Sequence, residues 1–291
     1  MRGLVFACLF LALAGGPAVS QGASSKHLSY AVVPGVVSGC AGFAEMGDGI
    51  GFDLERRLER WQCLSDADRI PLSRAVEAAR PGGDQAVAAA VLEKIKSDLV
   101  VTFAGSCEGQ SLRLNVRVWN KPDSSAQTFE ISGSLLDFFG FQDKLTDRVV
   151  ASIRAVYPDL PAPDKSARLK LAPARTLESY ALAIRGKIAM QKGEGAAARP
   201  LFLKALEADT NLWWAHYWLG ALDFHEGKFE SAIGHCKRAL DLDPDLYPAI
   251  YANLSYCWAG LGDTANANKN QAEFERRTGK RLPERSLPPI R

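Results

Sequence analysis

WLGALDFHEGKFESAIGHCKRALDLDPD, residues 218–245, decides how the second half of the chain folds. Its centre, Phe224-His-Glu-Gly227, recurs as Met190-Gln-Lys-Gly193 before it and as Ala259-Gly-Leu-Gly262 after it. Each Gly is followed, at the same offset, by Ala198, Ala232 or Ala267. Gly193 and Gly227 lie 34 residues apart, Gly227 and Gly262 35. Each period holds two helical patterns and a turn, so 179–279 reads as three helical hairpins. One hairpin cannot bury its own apolar face. Stacked neighbours can, and they leave a curved surface for a partner rather than a reaction centre.

With those residues in view, the stretch resembles the tetratricopeptide repeat (TPR) over about 179–279, most closely within 218–245. Gly186, Gly220 and Ser255 supply the small residue where two helices of a hairpin approach. Ala198, Ala232 and Ala267 face them. Ala205 and Ala239 occupy a further small position, at which the third repeat carries Phe274. The resemblance implies a concave face lined by the first helix of each hairpin. It places Tyr180, Lys187, Met190, Trp214, Tyr217, Phe224, His225 and Tyr256 there. Such an aromatic groove suits an apolar or extended peptide or protein. The alternative has Trp214 and Phe224 packed against the first domain or a second copy. On the groove reading, Trp214→Ala with Phe224→Ala abolishes partner capture and barely moves the melting temperature.

The residues before the repeats read differently. Tyr30-Ala-Val-Val33 is a short apolar run, a buried strand. Helical spacing of Ile50, Leu54, Leu58 and Trp61 predicts a helix over 47–61, capped by Asp48. A weaker strand over 62–69 follows, then a helix opened by Pro71 and stopped by Pro81-Gly-Gly-Asp84. Asp84 caps a helix over 85–96. Leu99-Val-Val-Thr-Phe103 is a buried strand. Leu112, Leu114, Val116 and Val118 alternate with polar residues, the mark of a half-buried strand. After a turn at Pro122-Asp123, 128–132 returns as a strand, and 136–157 is a long amphipathic helix. The order is β-α-β-α-α-β-β-β-α, a mixed sheet with helices packed on it.

"YAVVPG", "GDGIGFDLERRLE" and "SDLVVTFAGSCEGQSLRLNVRVW" resemble the amino-terminal domain of TolB and the related CsgG-like domains of bacterial envelope proteins. The resemblance covers roughly 29–157. It implies a non-catalytic envelope-assembly or sensory module. The family's Pro-Phe after the first strand is Pro34-Gly35 here, and the helical repeats follow instead of a β-propeller. The fold class is therefore α/β plus all-α: a TolB-N-like sandwich, then a three-repeat TPR solenoid.

Chemistry-bearing patterns are few. Gly47-Asp-Gly-Ile-Gly51 fails the phosphate-loop spacing and reads as a turn into a helix. Gly105-Ser-Cys107-Glu-Gly109 mimics a nucleophile elbow, but a strand follows it where the motif needs a helix, so it reads as a hairpin turn. Cys40 and Cys107 fall at the same sheet edge if their strands are parallel, and Cys63 at the opposite one. That favours a Cys40–Cys107 bridge, with free thiols as the alternative. His216 and His225 lie on opposite faces of one helix and His235 lies on another, which argues against a metal site. His216 and Asp223 share a face and suggest an inter-helix hydrogen bond. Cys236 and Cys257 read as buried thiols.

Net charge is +2 with no basic run, which argues against nucleic acid or an anionic membrane surface as partner. Arg2, the apolar run 4–14 and Ala18-Val-Ser20 read as a signal peptide, 1–20. Export permits disulfides among the five remaining cysteines. The domains are then 26–158 for the α/β domain, a Pro-rich linker over 159–173, the TPR domain over 174–281 and a flexible tail over 282–291. The expected protein is periplasmic or secreted, soluble after cleavage, and has no cofactor. It acts as a non-enzymatic scaffold or adaptor that binds a protein or peptide. The alternatives are a structural subunit that oligomerises through the α/β domain and an enzyme using Cys107.

Overall fold

The computed structural model describes residues 28–61, 63–66, 69–121, 125–163, 174–244 and 248–282. The expected signal peptide, the expected Pro122-Asp123 turn, 164–173 of the expected linker and 283–291 of the expected tail lie outside the described residues. The described chain forms two compact units, one up to residue 163 and one from 174 on.

The first unit is built on one mixed sheet. Its strands are β1 (Leu28–Val33), β2 (Val37–Ser38), β3 (Leu64–Asp66), β4 (Leu99–Glu108), β5 (Ser111–Asn120) and β6 (Ala126–Ser134). The order is β3-β1-β4-β5-β6, with β2 pairing β4. β1 is parallel to β3 and β4, and β2 is parallel to β4. β5 runs antiparallel to both of its neighbours, β4 and β6. Side-chain alternation serves two layers. Ala31, Val33 and Val100 pack with α2 (Arg69–Ala79) and α3 (Gly83–Lys94) through Leu72, Val76, Val87, Val91 and Leu92. On the other face Tyr30 donates its hydroxyl to the Glu55 carbonyl of α1 (Met46–Leu58), at 2.9 Å. Leu112, Leu114, Val116 and Val118 are fully buried, as their alternation predicts. α4 (Phe138–Val156) packs on β5 and β6.

Several local readings need correction. α1 begins at Met46 behind Glu45, so Asp48 lies within its first turn and does not cap it. Gly47 and Gly51 are helical because the helix crosses the 34–35 loop closely. A Cβ on Gly47 would stand 2.0 Å from the Gly35 carbonyl oxygen, and one on Gly51 2.7 Å from the Pro34 ring. Asp84 does not cap α3; its carboxylate pairs with Arg117 at 2.6 Å. Gly105-Ser-Cys107 is strand, not turn, since β4 runs on to Glu108 and turns at Gly109, whose φ is +58°. Leu160 is buried, and the Pro161 carbonyl accepts from Trp61 Nε1 at 3.0 Å, so the first part of the expected linker packs on this unit.

The second unit is six helices in three hairpins. They are α5 (Leu177–Gln191) with α6 (Gly195–Ala208), α7 (Trp213–His225) with α8 (Phe229–Leu242), and α9 (Ala249–Gly260) with α10 (Thr264–Thr278). Gly193, Gly227 and Gly262 all have φ between +73° and +79°. Each stops its helix in the same way. Their N–H groups reach the Met190, Phe224 and Ala259 carbonyls at 3.0, 3.1 and 3.0 Å. The next residues, Glu194, Lys228 and Asp263, reach Ala189, Asp223 and Trp258 at 2.9 Å each. This double closure requires a left-handed residue, which Gly adopts without strain, and it is why Gly recurs at the repeat's period. The small positions also have a physical cause. A Cβ on Gly186 would enter the Phe202 ring, one on Gly220 would meet Cys236 Sγ at 2.8 Å, and Ser255 donates to the Ala267 carbonyl at 3.0 Å.

Candidate functional site

The first helices of the hairpins, α5, α7 and α9, lie side by side. Their aromatic side chains interlock. Tyr180 packs on Trp214 with ring centroids 5.2 Å apart, and Phe224 stacks on Tyr256 at 6.1 Å and 25°. Phe224 also meets Phe229 at 6.1 Å. Of the eight residues expected to line a groove, Tyr180, Met190, Trp214, Tyr217, Phe224 and Tyr256 are buried. Lys187 is half-buried and His225 exposed. The aromatics therefore build a core, and the accessible chemistry of this set is Lys187 and His225.

A polar network occupies the middle hairpin. Asp223, 2% exposed, accepts from Ser231 Oγ at 2.5 Å and pairs with Arg199 of the preceding hairpin at 2.8 Å. Arg199 reaches Glu226 at 2.9 Å, and Glu226 reaches Lys228 at 2.7 Å. His216 and Asp223 each bond across to α8, as their shared face suggests, but to different partners. His216 Nδ1 lies 3.0 Å from His235 Nδ1, and its Nε2 lies 3.3 Å from the Thr210 carbonyl oxygen. His235 Nε2 faces Asp223 Oδ2 at 3.9 Å. Burial, more than any neighbouring charge, holds both imidazoles below their usual pKa. The pair escaped spacing arguments because its members lie on two helices. Hairpin geometry could have found it: His216 stands nine residues before the end of α7 and His235 six after the start of α8. At ~1.5 Å rise per residue that puts them within about one turn of the same level.

The buried Asp223 yields a first prediction. Arg199→Ala leaves a desolvated carboxylate with one hydroxyl donor, and removing one partner of a buried pair costs several kcal/mol. Since the Arg199 side chain is itself 26% exposed, we expect a loss of about 2–3 kcal/mol, read from the urea midpoint.

The cysteines divide in two. Cys40 and Cys107 form a disulfide with Cα atoms 4.9 Å apart, as the shared sheet edge suggested. Cys107 therefore offers no thiolate, which removes the enzyme reading based on it. Cys63, Cys236 and Cys257 are free and buried. Burial pushes the Cys63 thiol up to about 11 and that of Cys257 to about 12, and raises Cys236 as well. Among the described residues no group of three or more His, Cys, Asp or Glu is placed to hold a metal ion, and no helix is long and apolar enough to cross a membrane.

Residues 213–246, covering α7 and α8, match the tetratricopeptide repeat family model. Solved structures similar to this chain include MamA, at 22% identity and a TM-score of 0.33, with 47% of this chain and 74% of that one covered. YrrB, described as a TPR protein with an unusual peptide-binding site, is 15% identical with a TM-score of 0.32, over 50% of this chain and 72% of its own. The LpoB C-terminal domain from Salmonella enterica is 11% identical with a TM-score of 0.31, over 38% and 85% respectively. None of the curated proteins matches the chain.

Proposed function

We propose that the chain is a non-enzymatic, exported scaffold of the bacterial cell envelope that binds a protein or peptide through the inner face of a three-repeat TPR solenoid. The domains follow the sequence reading with one change: a signal peptide over 1–20, a TolB-N-like α/β domain over 26–158 on which 160–161 also pack, a linker over the rest of 159–173, repeats over 174–281 and a tail over 282–291. One observation carries the reading. The same left-handed glycine closes all three hairpins, with the same two hydrogen bonds, and the flanking hairpins thus repeat the local geometry of the one that matches the family. Helices stacked in this way stabilise each other through neighbours and leave one face of α5, α7 and α9 as a continuous surface. Buried Tyr180, Trp214, Phe224 and Tyr256 make its floor rigid. Lys187 and His225 are the side chains through which it meets a partner. The Cys40–Cys107 bond supports the placement outside the cytosol, where such bonds persist.

The test is a crosslinking pull-down from the native envelope fraction with the chain as bait, beside the Lys187→Glu, His225→Glu variant. Reversing one charge and adding another on an accessible rim is expected to cut recovery of the main partner by at least about tenfold, roughly 1.4 kcal/mol. Equal recovery by both baits would remove this face from the proposal.

A further inference from the structure

β6 is an edge strand with its hydrogen-bonding side open. Its ladder to β5 is flanked by the Asn120 N–H on the Ser125 carbonyl and the Leu135 N–H on the Gln110 carbonyl. Bonded positions alternate along an antiparallel pair, so Gln127, Phe129, Ile131 and Gly133 bond to β5. Thr128, Glu130 and Ser132 turn their N–H and C=O groups outward, and among the described residues no strand pairs with them. Natural edges are usually blunted by shortness, by Lys or Pro, or by a bulge. The opposite edge, β3, is three residues long. β6 is nine residues long, carries neither Lys nor Pro, and pairs with β5 without interruption. Phe129 and Ile131, on the α4 side, are only half-buried, and Arg148 of α4 lies over the Phe129 ring at 4.8 Å. Thr128, Glu130 and Ser132 are exposed on the other side.

We propose that this edge takes a second copy of the chain, the two β6 strands pairing antiparallel about a two-fold axis at Ile131 and joining both sheets into one. Charge and strand length select that register. An axis at Glu130 sets two carboxylates directly opposite each other, which is unfavourable. An axis at Phe129 brings the two Arg148 guanidinium groups together. An axis at Thr128 or at Ser132 runs Ile131 or Phe129 past the end of the facing strand. The axis at Ile131 avoids all of these. Ile131 then faces Ile131. Phe129 faces Gly133, where the Phe141 ring fills the space of a side chain, so ring meets ring. Thr128 faces Ser134, a hydroxyl pair. Glu130 faces the Ser132 hydroxyl, and behind that serine stands Arg113 of the same copy. Within each copy Arg113 already lies 3.7 Å from Glu130, so both carboxylates sit among donors and cations. The two Phe129 rings, each with its Arg148, stand roughly 13 Å apart along the strands, at ~3.4 Å per residue. The interface is isologous and closes on itself, which ends the exposed edge without a growing fibre.

The test is sedimentation of the purified chain, which is expected to show a concentration-dependent dimer. Ser132→Glu puts a carboxylate against Glu130 at both symmetric places and should weaken the dimer by at least about tenfold, roughly 1.4 kcal/mol. Ser132 is exposed, so the substitution leaves the monomer folded. Adding Glu130→Lys to that variant sets a cation against each new carboxylate and should restore the dimer. Under mild oxidation Ile131→Cys should give a disulfide-linked dimer, because its two Cα atoms face each other at a separation that a disulfide spans. Glu130→Cys should not. A chain that stays monomeric overturns the proposal. So does a dimer indifferent to Ser132→Glu, or one that Glu130→Cys links in place of Ile131→Cys.

Discussion

The Trp214→Ala, Phe224→Ala double variant is expected to lose the cooperative unfolding transition of the helical unit. Both side chains are 1% exposed. Truncating a buried Phe or Trp to Ala costs about 3–5 kcal/mol, because the lost transfer energy is joined by the cavity left behind. The two sites are not independent. Trp214 packs on Tyr180, and Phe224 on Tyr256 and Phe229, so each truncation strips support from rings contributed by other helices. Allowing for coupling between them, the sum is at least about 6 kcal/mol, comparable with the whole stability of a domain at ~5–15 kcal/mol. Far-UV circular dichroism during heating checks this. A melt within a few degrees of the parent chain would show that these rings do not build the core. The result reverses the expectation that both could be cut to test partner capture with the fold intact, and it is why the binding test rests on Lys187 and His225.

What could be read in advance, and what could not, follows from the range of the interactions. The repeat is legible because its period is written in residues whose reason is local. A left-handed helix stop calls for Gly at 193, 227 and 262, and a close helix crossing calls for small residues at 186, 220 and 255. The alternation of β5 is legible for the same reason. Gly47 and Gly51 misled because glycine is a poor helix former. Their purpose lies in a loop about a dozen residues earlier, where Gly35 and Pro34 leave no room for a Cβ. Gly105 misled in the same way. It reads as a turn residue but is strand, with the Arg113 carbonyl oxygen 2.0 Å from where its Cβ would stand. Asp48 and Asp84 had the right chemistry for caps, yet one lies a turn inside its helix and the other answers Arg117 on a strand. The aromatic set on α5, α7 and α9 was placed on the right helices. Whether such a stripe faces solvent or a neighbouring helix depends on packing that no single helix encodes.

Breaking the Cys40–Cys107 bond is the second large perturbation, and it tests the compartment together with the fold. The bond joins positions 67 residues apart. A cross-link closing a loop of that length restricts the unfolded chain by about 4 kcal/mol. Its native role is equally specific. β2 is two residues long and pairs only with β4, through Val37↔Gly105 and Ser38↔Ser106. The bond ties the chain just past β2 to the same edge of β4. Beyond it, Phe43 donates its N–H to the Cys40 carbonyl at 3.1 Å and packs edge-on against Phe138 of α4. Without the cross-link, the 39–45 segment that leads into α1 loses its covalent tie to β4. Cys40→Ala with Cys107→Ala is therefore expected to lower the melting temperature of the α/β unit by about 10 °C, given ~2–4 °C per kcal/mol for a unit of this size. Calorimetry of the two chains checks it, and a shift under about 2 °C would mean that the bond adds little to the sheet. The same chain isolated from the envelope fraction should show Cys40 linked to Cys107, with Cys63, Cys236 and Cys257 as thiols. A fully reduced chain there would place the protein in a reducing compartment, remove this stabilisation from the working molecule, and overturn the proposed export.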